Sequence, residues 1–192
     1  MTIFNTPLLS FILRWFSRIC LRLTGWHAIG KVPSDVPRAV MIVAPHTSYW
    51  DFLLFLLIVF DLELQLRVLI KHTLFVGPVG WFLRYCGALP VDRRAPSALV
   101  RQLAGQLKNS EECIVLITPE GTRSPRAEWK TGFYRMAEEA EVPIVIAYVD
   151  VVTKTAGIDH VMQPSGDIEA DMKKIKAFYD TKTGIKPENY AS

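Results

Sequence analysis

Four runs of aliphatic and β-branched residues recur along the chain: "AVMIVA" at 39–44, "LRVLI" at 66–70, "CIVLI" at 113–117 and "VPIVIAYVDV" at 142–151. Most are apolar at consecutive positions, the pattern of a buried strand. Segments of helical character separate them, at 49–62, 76–87, 96–109 and 132–140, with a last amphipathic helix near 168–181. Pro78 and Pro96 fall in first turns, and Gly87 closes one of these segments. The tetrapeptide "ALPV" at 88–91 reads as a further brief strand. Strand and helix in alternation predict an α/β fold, a mainly parallel central sheet flanked by helices. The 192 residues contain no internal repeat and suffice for one core-forming domain. In such a sheet, functional residues gather beyond the carboxyl ends of strands, here in the loops after 44 and 117.

Composition narrows the partner. Hydrophobic residues make up 50% of the chain, and the net charge is only +3. No Lys/Arg block with interleaved aromatics is present, which argues against nucleic acid. An oily, mildly basic protein fits an anionic membrane surface better. The longest uninterrupted apolar run, 52–60, falls short of the roughly 18 residues that a spanning helix needs. Contact with a membrane is therefore expected from one side, monotopic or peripheral, on the cytoplasmic face. Residues 1–24 read as an amphipathic helix, with Phe11, Ile12, Trp15, Phe16, Ile19, Cys20 and Leu23 recurring at helical spacing and Arg14, Arg18 and Arg22 in a stripe. Two uses of this helix stay open: a core helix with an exposed arginine edge, or an interfacial anchor whose arginines meet lipid phosphates. Cys20, Cys86 and Cys113 lie far apart in apolar surroundings, as reduced core residues of a cytosol-facing protein would. The first residues lack the basic region and cleavage site of a secretory signal. The polar tail after the last helix is expected to be loosely held.

The first of the two loops carries "PHTSYWD", residues 45–51. On one continuous helix, residues five apart point about 140° away from each other, so His46 meets Asp51 only from the turn before the helix. The sequence permits this, because Pro45 keeps the chain extended and Ser48 with Asp51 forms an S-x-x-D capping signal. One reading stops there: Asp51 is a capping acid and His46 a polar turn residue. The other is catalytic, with Asp51 accepting from one ring nitrogen, orienting the other and stabilising the cation formed during reaction.

The second loop is "TPEGTRSP", residues 118–125. Gly121 permits a tight turn, and the amides of Thr122 to Ser124 can form a concave anion site. Arg123 offers a bidentate fork for phosphate, with Glu120 placed to pair with it or with a substrate hydroxyl. An ordinary strand-to-helix loop with a surface ion pair fits the same residues. Taken together, H-x4-D at 46–51 followed by "PEGTRS" at 119–124 resembles the glycerolipid acyltransferases, in particular the 1-acylglycerol-3-phosphate acyltransferases. "GALPVDRR" (87–94) and "VPIVIAYVD" (142–150) are similar to that family's second and fourth blocks, in the same order.

The resemblance implies transfer of a fatty acyl group from an acyl thioester, acyl-CoA or acyl-ACP, to the hydroxyl of a lysophospholipid. With 1-acylglycerol-3-phosphate as acceptor the product is phosphatidate. It implies His46 as general base oriented by Asp51, and Arg93, Glu120, Gly121, Thr122 and Arg123 around the acceptor's polar head. It implies no metal or prosthetic group. The domain organisation expected is a membrane-associating helix over 1–24 followed by an acyltransferase domain over 25–192. "PVDR" and Thr118 depart from the residues usual at those places, which bears on acceptor identity.

Alternatives stay open. The alternative acceptor is another lysolipid, such as an amino-acid-linked one. A lipid hydrolase would use Ser48 as nucleophile, although no G-x-S-x-G elbow occurs. A membrane lipid-binding protein would keep the same body without turnover. Lys71 and Lys130 can add positive charge near a phosphate, whereas His27, His72 and His160 lack zinc-ligand spacing. Trp15, Trp26 and Trp81 fit either an interface or a core.

Overall fold

The computed structural model describes residues 2–92, 94–121 and 129–190. Its elements are α1 (Pro7–Thr24), β1 (His27–Ile29), β2 (Arg38–Ala44), α2 (Trp50–Asp61), β3 (Leu66–Lys71), α3 (Gly77–Tyr85), β4 (Ala88–Val91), α4 (Pro96–Asn109), β5 (Cys113–Ile117), α5 (Gly132–Ala140), β6 (Ile144–Asp150), β7 (Thr155–Met162) and α6 (Ile168–Tyr179). Among the described residues the strands form one sheet in the order β1-β7-β6-β2-β5-β3-β4. Among the described residues only the β6–β7 pairing is antiparallel. The expected mainly parallel α/β sheet is therefore what forms.

Side-chain alternation in the central strands explains the layers. Val40, Ile42 and Ala44 of β2, with Ile144 and Ile146 of β6, pack against α4, α5 and α6. Met41 of β2 and Val145 and Ala147 of β6 turn to the opposite side, toward α2. A strand buried on both faces has no polar positions to spare, hence the continuous apolar runs. Phe133, Tyr134 and Tyr179 are almost wholly buried, and each large apolar side chain removed from water contributes about 1.5–3 kcal/mol. The Tyr179 hydroxyl ties α6 to the sheet, 2.7 Å from the Ala147 carbonyl and 3.1 Å from that of Ile42.

Two strands lie outside the sequence expectation. β1 has only three residues, and β7 contains Gly157, Asp159 and His160 on its way along the sheet. Gly157 has φ +149°, and a Cβ there would lie 2.0 Å from the Ile29 carbonyl oxygen. The glycine that weakens β7 as a sequence signal is what lets β1 approach it.

α1 covers Pro7–Thr24 of the 1–24 stretch that reads as an amphipathic helix, and it is mounted the other way round from a core helix. Pro7 opens its first turn, and Gly25 closes it in the left-handed region with Schellman bonds, Gly25 N–H to Arg22 O and Trp26 N–H to Leu21 O. Its inward side is narrow: Ser17 and Leu21 are buried, Arg14 pairs with Glu63, and Arg18 Nε donates to Asp61 Oδ1 at 2.8 Å. Two of the three stripe arginines thus dock α1 onto the end of α2. The apolar side faces outward, with Phe11 and Phe16 each 59% exposed and Leu23 81%.

α3 sits beside the start of α1. The Thr6 hydroxyl lies 2.8 Å from the Tyr85 hydroxyl, and the Tyr85 ring stacks on Trp81. Trp81 is itself exposed, as are Tyr49, Trp50, Phe52 and Leu53 around the start of α2. Large exposed apolar residues thus concentrate on α1, α2 and α3, while α4, α5 and α6 present none among the described residues. No helix of the described residues is long and apolar enough to cross a membrane.

Candidate active site

β2 and β5 are parallel neighbours, with Ile42 opposite Ile117. The loops leaving their carboxyl ends therefore emerge side by side, and His46 meets Glu120 across 74 positions of sequence. His46 lies in the turn before α2, as the H-x4-D spacing requires. Its Nδ1 is 3.3 Å from Asp51 Oδ2.

The same Asp51 oxygen also accepts the N–H groups of Thr47, at 2.6 Å, and Ser48, at 2.7 Å. This is the acid half of a capping box, so the capping and the catalytic reading describe one atom. Asp51 is buried, and its other oxygen, Oδ1, has no hydrogen-bond partner among the described residues. Ser48 is buried as well, and its Oγ accepts the Trp50 N–H at 3.2 Å, which turns it to the helix rather than to a substrate.

Glu120 reaches the pair from the other loop. Its Oε2 and Oε1 accept the His46 backbone N–H at 2.9 and 3.2 Å. Burial pushes its carboxyl up to about 7, opposed by that N–H and by the His46 ring. Gly121 follows at φ +67°, under the Lys130 side chain, where a Cβ would come within 2.9 Å of Lys130 Cε. Lys130 therefore does flank this loop. Arg93, Thr122 and Arg123 lie outside the described residues. Arg94, next to Arg93, pairs with Asp92 at 2.6 Å. Lys71 ends β3, and His72 Nδ1 is 3.3 Å from the Val91 carbonyl. The described residues contain no His/Cys/Asp/Glu group arranged to hold a metal ion, and all three cysteines are free thiols.

Beside the pair opens a cavity of about 220 Å³ that runs between α2 and the sheet. His46, Asp51 and Thr118 contribute to its wall, which is otherwise nearly all apolar, with Met41, Val43, Phe55, Val68, Val149 and Ile158 among its lining. Ala147, Ala156 and Gly157 line it too, and their small size leaves the space open. The sequence shows these residues as core positions and nothing more. Their period-two spacing in β2 and β6 is the one local sign that they share a face.

The arrangement has the parts for taking a proton from a hydroxyl next to an apolar chain. His46 Nδ1 is committed to Asp51, which leaves Nε2 for the substrate.

A sequence profile described as Acyltransferase matches residues 29–149. The chain is 30% identical over 133 residues to a 1-acyl-sn-glycerol-3-phosphate acyltransferase of Streptococcus pneumoniae, covering 67% of this chain and 48% of that one. It is 33% identical over 139 residues to a protein of the same name from Pseudomonas aeruginosa, covering 68% and 51%. The chain spans about half the length of the curated relatives it matches. Its fold is similar to the crystal structure of the 1-acyl-sn-glycerophosphate acyltransferase PlsC from Thermotoga maritima, with a TM-score of 0.58 at 18% identity, over 90% of this chain and 78% of that one. With the profile covering most of the chain and both motif loops inside it, this chain belongs to the Acyltransferase family.

Proposed function

We propose that this chain transfers a fatty acyl group from an acyl thioester, acyl-CoA or acyl-ACP, to the free hydroxyl of a lysoglycerophospholipid, with 1-acylglycerol-3-phosphate as acceptor and phosphatidate as product. The observation that carries this reading is the His46–Asp51 pair in the wall of a largely apolar cavity. A fatty chain needs such a cavity, and a hydroxyl nucleophile needs such a base. The names of the relatives support the choice of acceptor.

In this mechanism the acyl chain lies in the cavity and its thioester carbonyl beside His46. Nε2 takes the proton of the acceptor hydroxyl as its oxygen attacks the carbonyl carbon, a step typically worth about 100- to 10,000-fold. Asp51 holds the imidazolium that forms. The tetrahedral intermediate then collapses, the C–S bond breaks, and the thiolate leaves and recovers the proton from His46. Glu120 keeps the base in place through its backbone N–H. Gly121, Thr122, Arg123 and Arg93 are assigned to the acceptor's phosphate, with Lys130 at the edge of the loop.

The reaction is proposed to occur at a membrane surface, on the cytoplasmic side, where both lipids partition. The outward apolar side of α1 and the exposed aromatics of α2 and α3 support this, because those at the start of α2 flank Asp51 itself. Charge supports it as well: residues 2–24 and 66–91 contain six arginines and lysines and no carboxylate, and with Arg14 and Arg18 paired to Glu63 and Asp61 the other four are Arg22, Arg67, Lys71 and Arg84.

Product mass spectrometry after incubation with acyl thioesters and a panel of lysolipids tests the activity. Acyl transfer to 1-acylglycerol-3-phosphate is expected, whereas release of free fatty acid alone, or binding without turnover, defeats it. Arg123→Lys should raise KM for a phosphorylated acceptor more than KM for the donor, since lysine lacks the paired donors of the guanidinium. A defect confined to the thioester would reassign this loop.

A further inference from the structure

We propose that residues 183–190 form a positioning strap for the H-x4-D turn, with Thr47 and Asn189 as its positioning residues; this rests on the transfer reaction proposed above. The segment lies beyond the residues matched by the family profile.

Thr47 is buried between His46 and Asp51 in the chain, and all its polar groups are used. Its N–H donates to Asp51 Oδ2, the oxygen that faces the His46 ring. Its other two contacts come from the strap: the Lys186 N–H donates to Thr47 Oγ1 at 3.0 Å, and Asn189 Nδ2 donates to the Thr47 carbonyl at 2.9 Å. Gly184 closes on the same residue, where a Cβ would lie 2.7 Å from Thr47 Oγ1 and 3.1 Å from Pro45 Cβ.

The strap is itself anchored at its start. Val151 N–H donates to the Thr183 carbonyl at 2.9 Å, Thr183 N–H donates to Asp150 Oδ1 at 3.3 Å, and Ile185 packs against the cluster of Leu21, Leu54 and Ile58. A tail expected to be loosely held instead spans from the end of β6 to the turn before α2. Its contacts hold the Thr47 side chain and the Thr47–Ser48 peptide group, whose N–H is one of the two that fix Asp51 Oδ2. A catalytic pair must be held to within a fraction of an ångström, and the ends of β2 and α2 alone leave the five-residue turn between them room to move.

The test compares Thr47→Val, Thr47→Ser and Asn189→Ala in the full chain, following kcat, both KM values, thermal melting and amide hydrogen exchange. Valine keeps the shape of Thr47 but removes the acceptor for Lys186 N–H, and serine restores it. The expected result is a fall in kcat of roughly 10- to 100-fold in Thr47→Val and Asn189→Ala with little change in either KM, and near-normal turnover in Thr47→Ser. The Thr47 and Ser48 amides should exchange faster in the two defective variants, while those of β2 and β6 keep their protection.

Wild-type kcat together with unchanged exchange at Thr47 and Ser48 would overturn the strap. So would a loss of kcat accompanied by general loss of protection in β2 and β6, which would make the tail a support of the core only. Should the unaltered chain transfer no acyl group, the reaction reading fails separately, and the exchange comparison still decides the strap.

Discussion

Asp51 Oδ2 takes two backbone N–H groups and faces the His46 ring, so local structure and proposed chemistry share one oxygen. This makes the conservative variant the informative one. Asp51→Asn retains an oxygen for the Thr47 and Ser48 N–H groups but loses the charge that holds an imidazolium. It should lower kcat on the order of 100- to 10,000-fold while costing less stability than the roughly 0.5–2 kcal/mol of a lost cap. His46→Ala should abolish transfer with the melting temperature nearly unchanged, because this side chain is not part of the core; near-normal turnover would remove it as the base. Glu120 makes a different prediction, on stability. Its carboxyl is raised in the folded state, so its contribution is fully present below the ordinary glutamate value and is lost as pH rises through about 7. Glu120→Gln should flatten the melting-temperature curve in that window, measured at a series of pH values. An unchanged slope would mean that another group produces it.

At the scale of elements, α1 separates two roles that a helical wheel merges. Arg14 and Arg18 face Glu63 and Asp61, so reversing them to glutamate should loosen α1 from α2 and lower thermal stability. Phe11 and Phe16 face outward, so replacing both with glutamate should leave melting unaltered and weaken liposome sedimentation. Partitioning that survives the aromatic changes would return α1 to a purely structural role. The periodicity of α1 was fully legible in its residues, but the direction of its apolar side was not. That direction depends on two acids at the end of α2, which no property of residues 7–24 encodes.

At the scale of the whole molecule, the cavity exists because small residues on two strands face α2. Ala147→Leu should narrow it, shifting donor preference toward shorter acyl chains at a packing cost of about 1–3 kcal/mol. Kinetics with thioesters of graded length checks this, and an unaltered length profile would place the chain elsewhere. By itself the sequence determined the strand–helix alternation, most of the elements and the two motif loops, because apolar period, proline, glycine and capping pairs act over a few residues. Tertiary structure alone decided the pairing of β1 with β7, the meeting of His46 with Glu120, the cavity and the seat of residues 183–190 on Thr47. Each of those depends on which strands become neighbours and which faces meet, and such contacts join residues too far apart for any local pattern to record.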